Sequence, residues 1–435
     1  MESAWKSYRG LWALSIPSII ATMLEPISSV VDTALVGRFS TEQLAALAIG
    51  ATLISSLTWM FNFLVHAPIQ GVSEKIGQKR FDEVISLCKV SLFMALGLGL
   101  ILILVFLPIR FHIYAFMGAT ENLLKYCDEY FFIRLLGQSS VLLFTVCLAL
   151  LRGFAKVRVA MAFIGISTFL NISLSYLSLY HWDFGLAGVA GATVFGNTIG
   201  MLLSFLTLIR IQEIRDHFWT QKIIRNNIFE LGSKALNIFG RSAFLTLSFF
   251  LCTKIASHIG VVELASHQII LQVWLFASFF TDGVATTGNI VGARAQSAEQ
   301  RKELIGIFNK LLFMGAKIGL VFTLAYFFLD ELVLQRFTSD QEVLKTIATV
   351  WPFIALSQIP LSIAYVYDGL IFGLGNFAFL RKHMMIAFCL VFTPLAFYSY
   401  NMKSLIGIWA ALIGVGIYRL VSNYFCVRNE LRVNI

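Results

Sequence analysis

Apolar residues run through this chain in about twelve stretches, near residues 11–35, 46–72, 87–109, 130–151, 159–180, 186–210, 232–257, 267–292, 304–329, 346–373, 380–400 and 404–427. Each is close to the ~20 residues a helix needs to cross ~30 Å of hydrocarbon. Helix is the conformation predicted for all of them, because a backbone facing lipid must satisfy its N–H and C=O groups within its own segment. Short hairpins are expected near 181–185 and 400–404. The start carries Lys6 and Arg9 but leads into a full-length apolar run without a small-residue cleavage site, so it is expected as a first membrane helix and not as a removed leader.

The polar positions between the runs alternate in charge. One set of loops carries Lys75, Lys79 and Arg80; Arg152, Lys156 and Arg158; Arg210, Arg215, Lys222 and Arg225; Arg294, Arg301 and Lys302; and Arg381 and Lys382. The opposite set has Arg38, Arg110, Lys125, Arg336, Lys345 and Lys403 among many acids. Cytoplasmic loops carry the excess of Lys and Arg, which predicts both termini in the cytoplasm of a chain in the inner (plasma) membrane. The longest polar stretch, 211–231, falls at the midpoint. It divides the chain into an amino-terminal bundle 1–210, a cytoplasmic linker 211–231 and a carboxyl-terminal bundle 232–435.

The two halves resemble each other. LVGRFSTEQLAALAIG (35–50) aligns with IASHIGVVELASHQII (255–270), and LALLRGFAKV (148–157) with DGLIFGLGNF (368–377), both displaced by 220 residues. GVSEKIGQ (71–78) aligns with TTGNIVGA (286–293), and FGLAGVAGA (184–192) with KSLIGIWAA (403–411), at displacements of 215 and 219. The expected fold is therefore an all-α integral membrane protein, with twelve transmembrane helices in two six-helix bundles related by an internal repeat. Such repeats enclose a central site and alternate access by moving against each other.

Composition narrows the class further. Of 435 residues, 58% are hydrophobic and 13% charged, where a soluble domain carries about 25% charge. Six scattered cysteines form no C-x-x-C, and seven dispersed histidines form no local cluster. No disulfide framework, metal site or resident cofactor is predicted. Without H-x-x-x-H, G-x-S-x-G or a nucleotide motif, an enzyme is not expected. The net charge of +9 is assigned to basic loops and not to nucleic-acid binding. The expected partners are the bilayer and a small-molecule substrate, and the expected state is a monomer.

Several short motifs, in order along nearly the whole chain, resemble the multidrug and toxic compound extrusion (MATE) transporters, in the branch of DNA-damage-inducible protein F. They are IPSII (16–20), VVDTALVGR (30–38), QLAALAIG (43–50), LRGFAKVRVAM (151–161), LNISL (170–174), GLAGVAGAT (185–193), ELASHQI (263–269), GNIVGAR (288–294) and YDGLIFGLGN (367–376). The resemblance implies an antiporter that expels amphipathic, often cationic compounds in exchange for protons or sodium ions.

An ionisable residue within a membrane span is costly and marks a function or a structural partner. Asp32 is the leading candidate, set among Val30, Val31, Ala34 and Leu35, where it is able to bind a proton or a sodium ion in alternation with a cationic substrate. The resemblance implies an amino-half ion site of Asp32, Asn171 and Thr193. It also implies a second Asp four residues after Asn171, where this chain has Ser175. A hydroxyl supplies no negative charge, which counts against a sodium site in this half and against a proton relay that needs two acids there. The resemblance implies a glutamate on the seventh helix for sodium coupling, and its absence favours protons, with sodium as the alternative. Glu25 precedes Asp32 by seven residues, on nearly the same helix face and about 10 Å away along the axis. It is expected either to replace the missing acid or to line the cavity.

Pro17 and Pro26 are expected to kink the first helix, and the resemblance links Pro17 to bending when the acid changes protonation state. In the second half Asp368 is expected in cation binding or coupling, Asp282 in a lesser role, and Lys254 as a neutralising partner. Aromatic residues such as Trp274, Phe276 and Phe279 are candidates for a cavity wall. The alternatives are a major-facilitator carrier, suggested by GVSEKIGQKR (71–80), and a lipid-linked precursor flippase.

Overall fold

The computed structural model describes residues 3–117, 121–295, 298–335, 337–338, 340 and 341–432. Every regular element among them is helical. The first half contains α1 (Tyr8–Phe39), α2 (Thr41–Met60), α3 (Phe63–Gly77), α4 (Phe81–Phe116), α5 (Glu121–Leu136), α6 (Gln138–Gly153), α7 (Val157–Tyr180) and α8 (Gly185–Ile209). A short α9 (Gln212–Arg215) precedes α10 (Arg225–Ile259), α11 (Val261–Arg294), α12 (Ala298–Phe328) and α13 (Asp330–Leu334). The chain ends with α14 (Gln341–Leu374), α15 (Phe377–Ala387), α16 (Thr393–Met402) and α17 (Leu405–Arg432).

Ten of the described spans are long and apolar enough to cross a membrane, and α5 with α6, bent by 47° at Gly137, makes an eleventh. The remaining expected span is α2 with α3, broken at Phe61 and Asn62. The twelve apolar stretches thus correspond to twelve helical segments. One of them, α15 to α16, passes through a π-helical turn at Phe388–Phe392. Pro394 follows that turn, and a ring without an N–H breaks the regular ladder there. Both Pro17 and Pro26 lie inside the continuous α1.

The chain divides into two compact units: Ile20–Ala235, and Met1–Ile19 together with Leu236–Ile435. The first helix of each half therefore begins in one unit and continues in the other, α1 changing at Ile19 and α10 at Ala235. In the first unit α7 packs on α8, and α6 on α3, α4 and α8. Ser73 of α3 donates to the Gly153 carbonyl at the end of α6 (2.8 Å). The polar stretch 211–231 is folded onto this unit: Ile214 and Phe218 are buried, and Lys89 donates to the Gln221 carbonyl (2.7 Å).

In the second unit α11 and α14 make the most extensive helix contact. Each presents two glycines four residues apart, Gly288 and Gly292 against Gly369 and Gly373, and the Cβ that Gly292 lacks would lie 3.2 Å from the Gly373 Cα. Small residues at this spacing let membrane helices approach backbone to backbone. A buried apolar core that includes Trp351, Phe392 and Trp409 packs the same unit together.

Candidate functional site

The amino-half polar cluster is built on α1, α5, α7 and α8. The close pairing of α7 with α8 depends on Gly196, whose missing Cβ would lie 2.7 Å from the Ser167 carbonyl. That approach lets Asn171 donate through Nδ2 to Thr193 Oγ1 (2.8 Å), while Thr193 donates to the Val189 carbonyl (3.0 Å). Asn171 Oδ1 accepts from Ser28 of α1 (2.6 Å). One turn further along α1, Asp32 is buried, as are Asn171 and Ser175.

Ser175 and Asn171 stand beside the Asp32 carboxylate, and Arg134 of α5 adds a positive charge. Among the described residues, Asp32 Oδ1 and Ser175 Oγ have no hydrogen-bond partner. The same holds for Nε and Nη1 of Arg134, whose guanidinium also faces the buried Tyr130 one turn earlier on α5. The three residues expected together (Asp32, Asn171 and Thr193) are together, with Ser175 beside them. The side chain of Glu25 lies outside the described residues. Pro26 falls in the Asp32 unit, whereas Pro17 falls in the other.

The carboxyl half holds a separate ionic cluster. Asp368 of α14 is buried; its Oδ2 accepts from both Arg241 of α10 and Arg419 of α17, and its Oδ1 from Asn423 (2.6 Å). Asp282 of α11 lies within electrostatic reach of Arg241, Asp368 and Arg419. Tyr365, one turn before Asp368, packs beneath the Arg419 guanidinium at 5.1 Å. Asp368 is the residue expected in cation binding or coupling; both of its oxygens accept from protein donors. Lys254, expected to neutralise one of these acids, is exposed on α10; Arg241 and Arg419 fill that role.

Both halves carry the signature of one family. Residues 17–177 and residues 238–398 each match the MatE family model, at a separation close to that of the internal repeats. This chain belongs to the MatE family. As a MatE protein it is a membrane transporter and not an enzyme. It is 28% identical over 431 residues to the chloroplastic protein DETOXIFICATION 44 of Arabidopsis thaliana, covering 95% of this chain and 80% of that one. It is 24% identical to the DNA damage-inducible protein F of Escherichia coli K12, over 88% of this chain and 84% of that one. Its fold is similar to the bent form of the Vibrio cholerae MATE transporter VcmN, with a TM-score of 0.88, 15% identity, and coverage of 98% and 97%.

The match over 17–177 also takes in 71–80, the segment that suggested a major-facilitator carrier. In this MatE protein those residues build an ionic lattice. Lys75 pairs with Glu83 (3.1 Å) and Glu230 (3.5 Å), and Lys234 with Glu230 (2.5 Å) and Glu74 (3.7 Å). The lattice holds the first turns of α10 to α3 and α4.

Three arginines of the two clusters were missed from sequence. Arg134, Arg241 and Arg419 each lie inside an expected span, near 130–151, 232–257 and 404–427. Their position in the apolar runs was itself the signal.

Proposed function

We propose that the protein is a proton-coupled antiporter that exports small amphipathic organic compounds, cationic ones among them, by alternating access. Asp32 carries the proton. The observation that supports this reading is a buried carboxylate with one oxygen unpartnered among the described residues, set in a cluster of hydroxyl and amide groups. A proton needs one lone pair on one oxygen. A dehydrated sodium ion needs several oxygen ligands and net negative charge around them, and Ser175 provides a hydroxyl where a second carboxylate would serve. Asn171 and Thr193 hold each other in register and fix the wall that Asp32 faces.

Alternation follows from charge. Asp32 without its proton is an anion that favours polar partners or a cationic substrate. Asp32 with its proton is neutral and repacks against apolar neighbours. Both states act on α1, the helix whose residues divide between the two compact units, so a change at Asp32 is delivered to a helix shared by both. Pro17 and Pro26 are the points on α1 where one backbone hydrogen bond is already missing and bending costs least. The protein acts as a monomer in the plasma (inner) membrane with both termini cytoplasmic, in keeping with its basic loops.

The test is ethidium efflux from everted vesicles under imposed gradients. Wild type is expected to respond to a proton gradient and not to a sodium gradient. Asp32→Asn, recovered in the membrane at comparable level, is expected to lose at least about tenfold of the proton-driven rate, since the amide binds no proton in this range. Full gradient-driven activity in Asp32→Asn would sink the proposal.

A further inference from the structure

The amino-half cluster contains a group that a cation-binding site should not have. Arg134 lies in the last turn of α5, three residues before the bend at Gly137. That places it inside the span formed by α5 and α6. Its charge acts on Asp32, yet the two do not form an ion pair within 4.0 Å. Nε and Nη1 of Arg134 are buried and unpartnered among the described residues, as is Asp32 Oδ1. A guanidinium always carries its proton. An arginine held in such a place without direct bonds to a carboxylate is expensive, so its position calls for an electrostatic reason.

Among the described residues, the charged and titratable groups facing Asp32 are Arg134 and Tyr130, both of α5. The facing residues of α7 (Asn171 and Ser175) are uncharged, as is Thr193 of α8, which Asn171 holds. With Asp32 ionised, the described side chains of this cluster sum to zero charge. With Asp32 protonated, they sum to plus one. In neither state do they offer the net negative charge that a metal cation requires in low dielectric.

We propose that Arg134 is a built-in counter-ion of Asp32, a positioning residue that restricts this half of the transporter to protons by excluding the sodium ion. The proposal rests on Asp32 as the coupling acid and adds the reason for its ion selectivity. Arg134 stabilises the ionised carboxylate from beyond ion-pair distance without capping Oδ1, so a proton still reaches that oxygen. A sodium ion at the same place meets the guanidinium as a like charge. Ser175 and Arg134 act in the same direction: one withholds a negative charge, and the other adds a positive one.

The experiment compares wild type, Arg134→Lys and Arg134→Gln in proteoliposomes, with ethidium as probe and imposed pH or sodium gradients. For Arg134→Gln, the pH of half-maximal transport is expected to move upward by about one unit or more, because loss of a nearby positive charge eases protonation of the carboxylate. Sodium ions are expected to begin to inhibit or drive transport in the same variant. Arg134→Lys is expected to retain the wild-type profile. An unchanged pH profile and continued indifference to sodium in Arg134→Gln overturn the proposal, and so does a shift of equal size in Arg134→Lys.

A double-mutant cycle in thermal stability at pH 8 guards against a variant too unstable to transport. Asp32→Asn and Arg134→Gln are expected to destabilise separately by more than the double variant does, because removing both charges leaves none uncompensated. Additive effects overturn the pairing. The cycle reads the pair alone, so it remains informative even if Asp32→Asn retains gradient-driven efflux and the transport reading fails.

Discussion

At the scale of single residues, two buried carboxylates of similar surroundings in sequence have different positions in chemistry. Among the described residues, Asp32 keeps an oxygen without a partner. Asp368 has both oxygens held by Arg241, Arg419 and Asn423. Removing one member of a buried ion pair leaves a charge unpaired in low dielectric and costs about 3–5 kcal/mol. Asp368→Asn is therefore expected to lower the thermal unfolding midpoint of the purified protein sharply. Asp368→Asn combined with Arg241→Leu should recover part of that loss. A stable Asp368→Asn protein that loses only its pH dependence would instead make Asp368 a coupling acid. Asp32, Asn171, Ser175 and Thr193 were legible in sequence because the motifs around them carry a positional resemblance. Arg134 and Arg419 were not: a lone arginine in an apolar run has no periodicity or spacing to announce its partner.

At the scale of elements, helix length and apolar content were set locally, whereas breaks and close approaches depended on individual residues. The α11–α14 contact is the clearest case. Gly369 meets the Ala285 backbone so closely that a Cβ has no room. Asp368, beside it on the same helix, is carried to its arginines by that contact. Gly369→Val is expected to abolish recovery of monodisperse protein in size-exclusion chromatography, while Gly97→Val, where a Cβ meets nothing within 4 Å, should leave the yield unchanged. For α1, Pro17→Ala and Pro26→Ala each restore a backbone donor within a continuous helix. Substrate efflux is expected to slow in both, with stability equal to or above wild type by up to about 3 kcal/mol. Unchanged efflux in both variants would show that α1 does not bend during the cycle.

At the scale of the whole molecule, the repeat in the sequence and the double match to one family model describe the same duplication. Basic loops set the expected orientation. Cysteines introduced as Lys156→Cys and Lys403→Cys, in a background without the exposed Cys389, test it. A membrane-impermeant maleimide applied to whole cells should label the second and not the first, and the reverse pattern would invert the topology. The sequence by itself determined the class, the number of spans and the repeat, because the bilayer demands long apolar helices and leaves few alternatives for the backbone. Side-chain partnership was another matter. The tertiary structure alone decided that Arg241 and Arg419 hold Asp368, that Lys254 is exposed, and that Arg134 faces Asp32. Each of these pairings joins residues from different helices, often more than a hundred positions apart, so the outcome depends on how the helices pack and not on any neighbouring residue.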